Sequence, residues 1–296
     1  MLNVAHFSCR AARQTSDARC RMIKLFASDL DGTLFNAMHT VDPVILSAIR
    51  KVRAAGGHFS VATGRTLRHN REFGFEGNVA AVCANGSIVL DEQGQTARFS
   101  AIDQCVIEEL ATRFSGVRFD YVGEKHTYHM FSEAEHMAVF ANQPWYAKIR
   151  LRGMSIVGAP ENVYDCTPAQ VTADRICKIN AHLKDPAEIA AVNEFIAEKS
   201  DFIVNAPFDP SMVELTAKGV NKGEAVAWLA GYLGLSEDEV AVYGDGGNDI
   251  EMLSRFDHAY ATSNGSDAAK QAAGNVIGSC TFHAVPHHMV ATLRQG

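Results

Sequence analysis

The stretch Ile23-Lys24-Leu25-Phe26-Ala27-Ser28-Asp29-Leu30-Asp31-Gly32-Thr33 decides the fold. Its first part is a short apolar run and reads as a buried strand. Its second part holds two carboxylates one residue apart and then a glycine, and reads as a loop leaving that strand. The same rhythm continues outward. Thr40 or Asp42 can cap a helix whose first turn holds Pro43. Val44, Ile45, Ala48, Ile49 and Val52 recur at helical spacing, and Gly56-Gly57 ends the helix. His58 to Ala62 is the next strand and runs into Thr63-Gly64-Arg65. Val79 to Ala84 is a third and runs into Asn85-Gly86. Strand, helix and strand in alternation imply a parallel sheet, which binds ligands at the carboxyl ends of its strands. All three polar loops fall there.

The middle of the chain lacks this rhythm. Strands are expected at Ser87–Leu90, Thr127–Phe131 and Arg175–Asn180, and helices at Ala101–Phe114 and Pro186–Lys199. Such a mixture reads as an α+β insertion. The alternation resumes near Val213, with a helix over Lys222–Leu233, a strand over Glu239–Tyr243, a short helix from Asp249 and a strand over His258–Ala261. The expected fold is therefore α/β, with a parallel sheet flanked by helices. The expected parts are an extension over 1–21, a core over 22–86 and 209–296, and an inserted α+β domain over 87–208. Residues 1–21 carry four Arg, one acid and no sustained apolar period. They read as a disordered, dispensable leader before Met22, the working start.

Composition sets the outer limits. The chain has 296 residues, 47% hydrophobic and 21% charged, which suits a globular protein with a sizeable core. A formal net charge of −7 argues against a general nucleic-acid surface. No apolar run reaches the ~18–20 residues that span a bilayer. The 7 cysteines include no C-x-x-C pair, so reduced thiols in a cytoplasmic protein are expected.

Four polar motifs carry the chemistry. In Asp29-x-Asp31-Gly32-Thr33, carboxylates at i and i+2 can divide covalent and acid–base work. In Thr63-Gly64-Arg65, a hydroxyl and a glycine at a strand end can face a phosphate oxygen. Lys222 starts a helix, where the macrodipole disfavours a cation, so neutralising bound phosphate would explain it. Lys218 competes for that role. Gly244-Asp245-Gly246-Gly247-Asn248-Asp249 offers carboxylates and an amide in a glycine-rich loop, a donor set that suits Mg²⁺. His283, His287 and His288 have no zinc-like spacing to a carboxylate or cysteine and read as exposed histidines.

Taken in this order, the four motifs resemble those of the haloacid dehalogenase-like phosphatases, in particular the Cof-type group with a large inserted cap. The gap between Asp31 and Thr63 has room for a turn and one helix only, so the cap must lie between Arg65 and Lys222. The resemblance implies a Rossmann-like core and a Mg²⁺-dependent phosphatase acting on small phosphorylated metabolites. In that reading Asp29 is the nucleophile and becomes an aspartyl-phosphate. Asp31 is the acid and base, and Thr63 and Lys222 bind the transferring phosphoryl group. Mg²⁺ is held by the Asp29 carboxylate, the Asp31 backbone carbonyl and Asp245, with Asp249 beside it. Gly64, Arg65, Asn85, Gly86 and Asn248 are expected at the substrate, and Asn264 at the rim. Cap residues such as Arg113, Arg118, His126, His129 and Arg152 read as ordinary surface residues. Membrane and nucleic-acid partners are not expected, and the assembly is a monomer or homodimer. Two other readings stay open: a phosphosugar mutase and a catalytically silent phosphometabolite-binding protein.

Overall fold

A computed structural model describes residues 22–36, 40–141, 161–206 and 212–294. The extension over 1–21, the cysteines Cys9 and Cys20, and Arg152 lie outside the described residues. The chain first lays down β1 (Leu25–Ser28), β2 (His58–Ala62), β3 (Ala80–Cys83), β4 (Ile88–Leu90) and β5 (Thr96–Phe99). It then forms β6 (Asp120–Gly123), β7 (His126–His129), β8 (Glu161–Val163), β9 (Ile176–His182), β10 (Ile203–Asn205) and β11 (Met212–Ala217). It closes with β12 (Val240–Gly244), β13 (His258–Thr262) and β14 (Val276–Ile277).

The strands form two sheets. The first runs β14-β13-β12-β1-β2-β3-β4-β5, and the second runs β10-β11-β9-β6-β7-β8. In the first sheet every pairing from β14 to β3 is parallel, and β4 and β5 add an antiparallel edge. Both faces of its centre are apolar. Phe26, Phe59, Val61 and Tyr243 point to one side, under the helices Pro43–Ala54 and Ala284–Thr292. Leu25, Ala27, Val240 and Val242 point to the other, under Lys222–Tyr232 and Ile250–Arg255. Burial on both faces is why these strands read as unbroken apolar runs. Asp42 caps the first helix, its carboxylate accepting from the backbone N–H of Val44 and Ile45.

The second sheet is antiparallel apart from the β7–β8 pair. Its apolar face carries Tyr121, Ile179, Leu215 and Val213, packed against the helices Gln104–Arg113 and Pro186–Glu198. Among the described residues no helix is long and apolar enough to cross a membrane.

The sheets draw the domain edges elsewhere than at 87 and 208. Strands β4 and β5 belong to the core sheet, so the insertion begins after Phe99. Residue 208 lies outside the described residues, but β11 pairs with β9 and β10 in the second sheet, so the insertion extends through Ala217. Short strands look alike in sequence whichever sheet they join; their hydrogen-bonding partners decide membership.

The order of the first sheet also fixes where a ligand binds. The chain moves from β1 to β2 and β3 on one side, then returns after the insertion to β12 on the other. That reversal opens a crevice past the carboxyl end of β1. Ser28 is level with Val61 on β2 and with Tyr243 on β12, so the loops that follow all three strands meet at one height.

Candidate active site

Asp29 extends β1 by one residue, its backbone N–H donating to Tyr243 O at 3.0 Å. The chain then turns tightly, with Leu34 N–H on Asp29 O and Phe35 N–H on Leu30 O. Gly32 has φ +79°, and a Cβ there would lie 2.3 Å from Asp245 Oδ2, so glycine is needed for both conformation and space. Thr33 Oγ1 donates to Asp245 Oδ1 at 2.9 Å, tying the first loop to the fourth. Thr262 Oγ1 and Asn264 Nδ2 both donate to Gly32 O. Asn264 thus supports the backbone of the first loop.

Lys222 is fully buried, and its Nζ lies 2.7 Å from both Asp29 Oδ1 and Asp249 Oδ1. This pairing accounts for a lysine in the first turn of its helix: two carboxylates outweigh the macrodipole. Burial opposes its charge, but Asp249 and Asp29 hold the ammonium above the usual lysine range. The competitor Lys218 instead donates to Ser200 O, away from these groups. Asp249 is engaged on both oxygens, because Oδ2 accepts from the N–H groups of Asp245 and Gly246 at 2.9 and 3.0 Å. Gly244 makes room for it; a Cβ there would lie 2.6 Å from that of Asp249.

Burial raises the Asp29 carboxyl above the ordinary range; Lys222 opposes this, and Asp249 and Asp245 add to it. Burial, and then Asp249, push Asp245 up to about 6. Oxygens of Asp29, Asp245 and Asp249 lie within 4.8 Å of one another, and Lys222 is the ammonium paired within that group. A divalent cation with oxygen ligands fits this excess of carboxylates.

Asp31 points elsewhere. Arg65 grips it in a fork, Nε on Oδ2 at 2.6 Å and Nη2 on Oδ1 at 2.7 Å, while its guanidinium lies over the Phe73 ring. Arg65, expected at the substrate, therefore stands on the carboxylate expected to do acid–base work. Thr63 is buried, its hydroxyl accepting from Arg65 N–H at 3.1 Å. Asn85 N–H donates to Thr63 O, and Asn85 Oδ1 accepts from Asn248 Nδ2 at 3.2 Å. The Asn85 Nδ2 is buried with no hydrogen-bond partner among the described residues, a donor left for an incoming oxygen. Gly64 abuts Asn85, where a Cβ would lie 2.9 Å from Oδ1. Gly86 (φ +102°) lets the turn press against Asn221 O.

Three further contacts escaped the sequence reading. Arg68 reaches into the second sheet and donates to Gly123 O at 2.6 Å, His126 O at 3.2 Å and Glu124 O. Lys178 Nζ on β9 donates to Gly64 O at 3.0 Å. Ser87 Oγ donates to Cys177 O. The hint in each case was a lone polar residue beside an apolar run, too weak to name a partner. Other expectations need correction. His129 is 1% exposed and sits beside Asp120, so it is no surface residue. His288 bonds the Tyr243 hydroxyl and His283 bonds Asp42; of that trio only His287 is exposed. Arg113 and Arg118 form ion pairs with Glu198 and Glu135 at the surface, as ordinary surface residues do.

Known proteins show the same organisation. A Streptococcus pyogenes protein named as a phosphatase is 26% identical over 276 residues, covering 90% of this chain and 96% of its own. An HMP-PP phosphatase of Serratia proteamaculans is 25% identical, covering 92% and 96%. The solved structure of a haloacid dehalogenase-like hydrolase from B. subtilis superposes with a TM-score of 0.76 at 22% identity, covering 90% of this chain and 99% of that one. The family model for haloacid dehalogenase-like hydrolases matches residues 26–289, nearly the whole described chain and all four site loops. The protein is an enzyme of the haloacid dehalogenase-like hydrolase family.

Proposed function

We propose that the protein is a Mg²⁺-dependent phosphatase that hydrolyses small phosphorylated metabolites through an aspartyl-phosphate on Asp29. One observation carries this reading: Lys222 Nζ bridges Asp29 and Asp249 at 2.7 Å each, with Asp245 alongside, at the reversal point of a parallel sheet. The relatives named as phosphatases, one of them for HMP-PP, support the substrate class.

Mg²⁺ bound by Asp29 and Asp245 would screen the repulsion between the Asp29 carboxylate and a phosphate dianion. Asp249, with both oxygens engaged, acts by holding Lys222 and the backbone of the fourth loop. An Asp29 oxygen attacks phosphorus while the bond to the leaving oxygen breaks. Asp31 gives that oxygen a proton, which requires Arg65 to release one arm of its fork. Lys222, Thr63 and the orphan Asn85 Nδ2 face the phosphoryl oxygens as charge develops. Asp31 then takes a proton from the water that attacks the same phosphorus, freeing Asp29 and phosphate.

The test is hydrolysis of p-nitrophenyl phosphate with Mg²⁺ and with chelator. Turnover should need the metal and fall at least ~10³-fold in Asp29→Asn with the fold intact. Metal-independent turnover, or an active Asp29→Asn, overturns the mechanism. Turnover that appears only with a sugar bisphosphate activator assigns a mutase instead.

A further inference from the structure

The second sheet presents its polar face to the core. Along β9, alternation sends Ile179 and Ala181 into the apolar side and Lys178, Asn180 and His182 to the other. Lys178 Nζ reaches Gly64 O, which places that other face against the loop that carries Thr63 and Arg65. On β11, Glu214 and Thr216 stand in register with Asn180 and Lys178 and share the face. On β6, Asp120 pairs with Asn180 from the opposite side. This face is one wall of the crevice, and the catalytic loops form the other.

Most of the charged groups along the wall are already paired. Lys178 is buried and neutralised by Glu214 at 2.5 Å. Arg65 is committed to Asp31, and Arg68 through its Nη groups to backbone carbonyls, with its buried Nε unpaired among the described residues. Asn180 Oδ1, by contrast, is a buried acceptor with no hydrogen-bond partner among the described residues. It lies between two carboxylate-bearing neighbours, Glu214 and Asp120. A buried acceptor flanked by carboxylates calls for an O–H or N–H donor. A second phosphate or a carboxylate brings only acceptors, which would leave that oxygen unpaired.

We infer that Asn180, flanked by Glu214 and Asp120, is the specificity-determining residue that accepts a hydroxyl or amino proton from the leaving group. The enzyme therefore selects monophosphates of neutral or cationic, hydroxyl- or amine-bearing molecules over those with a second anion. This inference rests on the phosphatase reading above.

The experiment measures kcat/KM of the full chain with Mg²⁺ for three probes: p-nitrophenyl phosphate, glucose 6-phosphate and fructose 1,6-bisphosphate. The wild type should prefer the monophosphate to the bisphosphate by at least ~10-fold. Asn180→Leu should lower the ratio of glucose 6-phosphate to aryl phosphate by about 3–10-fold, mainly through KM. Asn180→Asp keeps an acceptor, so it should retain that ratio and disfavour the bisphosphate further. Thermal melts confirm that both variants fold; if Asn180→Leu does not, Asn180→Ala replaces it and should lower the ratio likewise. A wild type that prefers the bisphosphate, or a folded Asn180→Leu with an unchanged ratio, overturns the inference while leaving aryl turnover to support the phosphatase reading. Loss of metal-dependent turnover on all three probes overturns that reading and this inference together.

Discussion

The two sheets place their chemistry in opposite ways. The core sheet buries both faces, so its strands have no side to spare and its polar groups collect in the loops beyond their carboxyl ends. Asp29, Thr63 and Asp245 each follow directly on a strand, and Asn85 comes one residue later. The cap sheet has helices on one face only, so alternate residues within its strands remain available to the crevice. Lys178, Asn180, Glu214 and Thr216 all sit mid-strand. In the proposed function, reaction chemistry resides in the loops beyond the core strands, and recognition in the strand pattern of the inserted sheet. On that reading, the wall of the inserted sheet can change without disturbing the loops beyond the core strands.

That contrast can be broken in several places. The largest expected effect is at Asp249. Asp249→Ala strips a buried ammonium of one of its two carboxylates and frees two backbone N–H groups. It should cost about 3–5 kcal/mol in urea unfolding. A cost below about 1 kcal/mol would show that the loops hold their shape without it. Next is Ile179→Ala, on the covered face of the cap sheet, which should cost about 2–5 kcal/mol. Hydrogen exchange should quicken in the cap strands and stay slow in β1 and β12; uniform quickening would mean the sheets unfold as one unit.

A smaller effect is expected where the sheets join. Arg68→Met removes the donors that bind the carbonyls of the β6–β7 turn, and should loosen that seam by about 1.5–3 kcal/mol. Proteolysis near Gly123–His126 would report it, and an unchanged cleavage rate would show that Lys178 and Ser87 suffice. The smallest lies at the far end of the core sheet. There Lys24, and then Ser236, hold Glu239 at about 2, below its usual 4.5. A depressed carboxyl contributes stability above pH 4.5 and loses it as pH falls toward 2. Glu239→Gln should therefore flatten stability against pH across that window, and an unaltered profile would remove Glu239 from the acid response.

The core elements were legible because their signals are local. The strand over His58–Ala62 was read at its observed bounds, and the helix from Pro43 starts after the Asp42 cap. The four motifs were legible because each lies within a few consecutive residues. The histidines near the end of the chain were misread, because the partners that bury His283 and His288, Asp42 and Tyr243, come from distant segments.

The sequence by itself determined the alternating core, the order of the site loops and the presence of an insertion between Arg65 and Lys222. Hydrophobic period and loop chemistry are properties of neighbouring residues, and need no fold to be seen. Only the tertiary structure decided what those residues hold. Lys222 meets Asp29 across 193 positions, Arg65 turns to Asp31 across 34, and Lys178 reaches Gly64 across 114. It also gave β4 and β5 to the core and β11 to the cap. Ion pairs and sheet membership depend on strand order and register, which bring together residues that the chain keeps far apart.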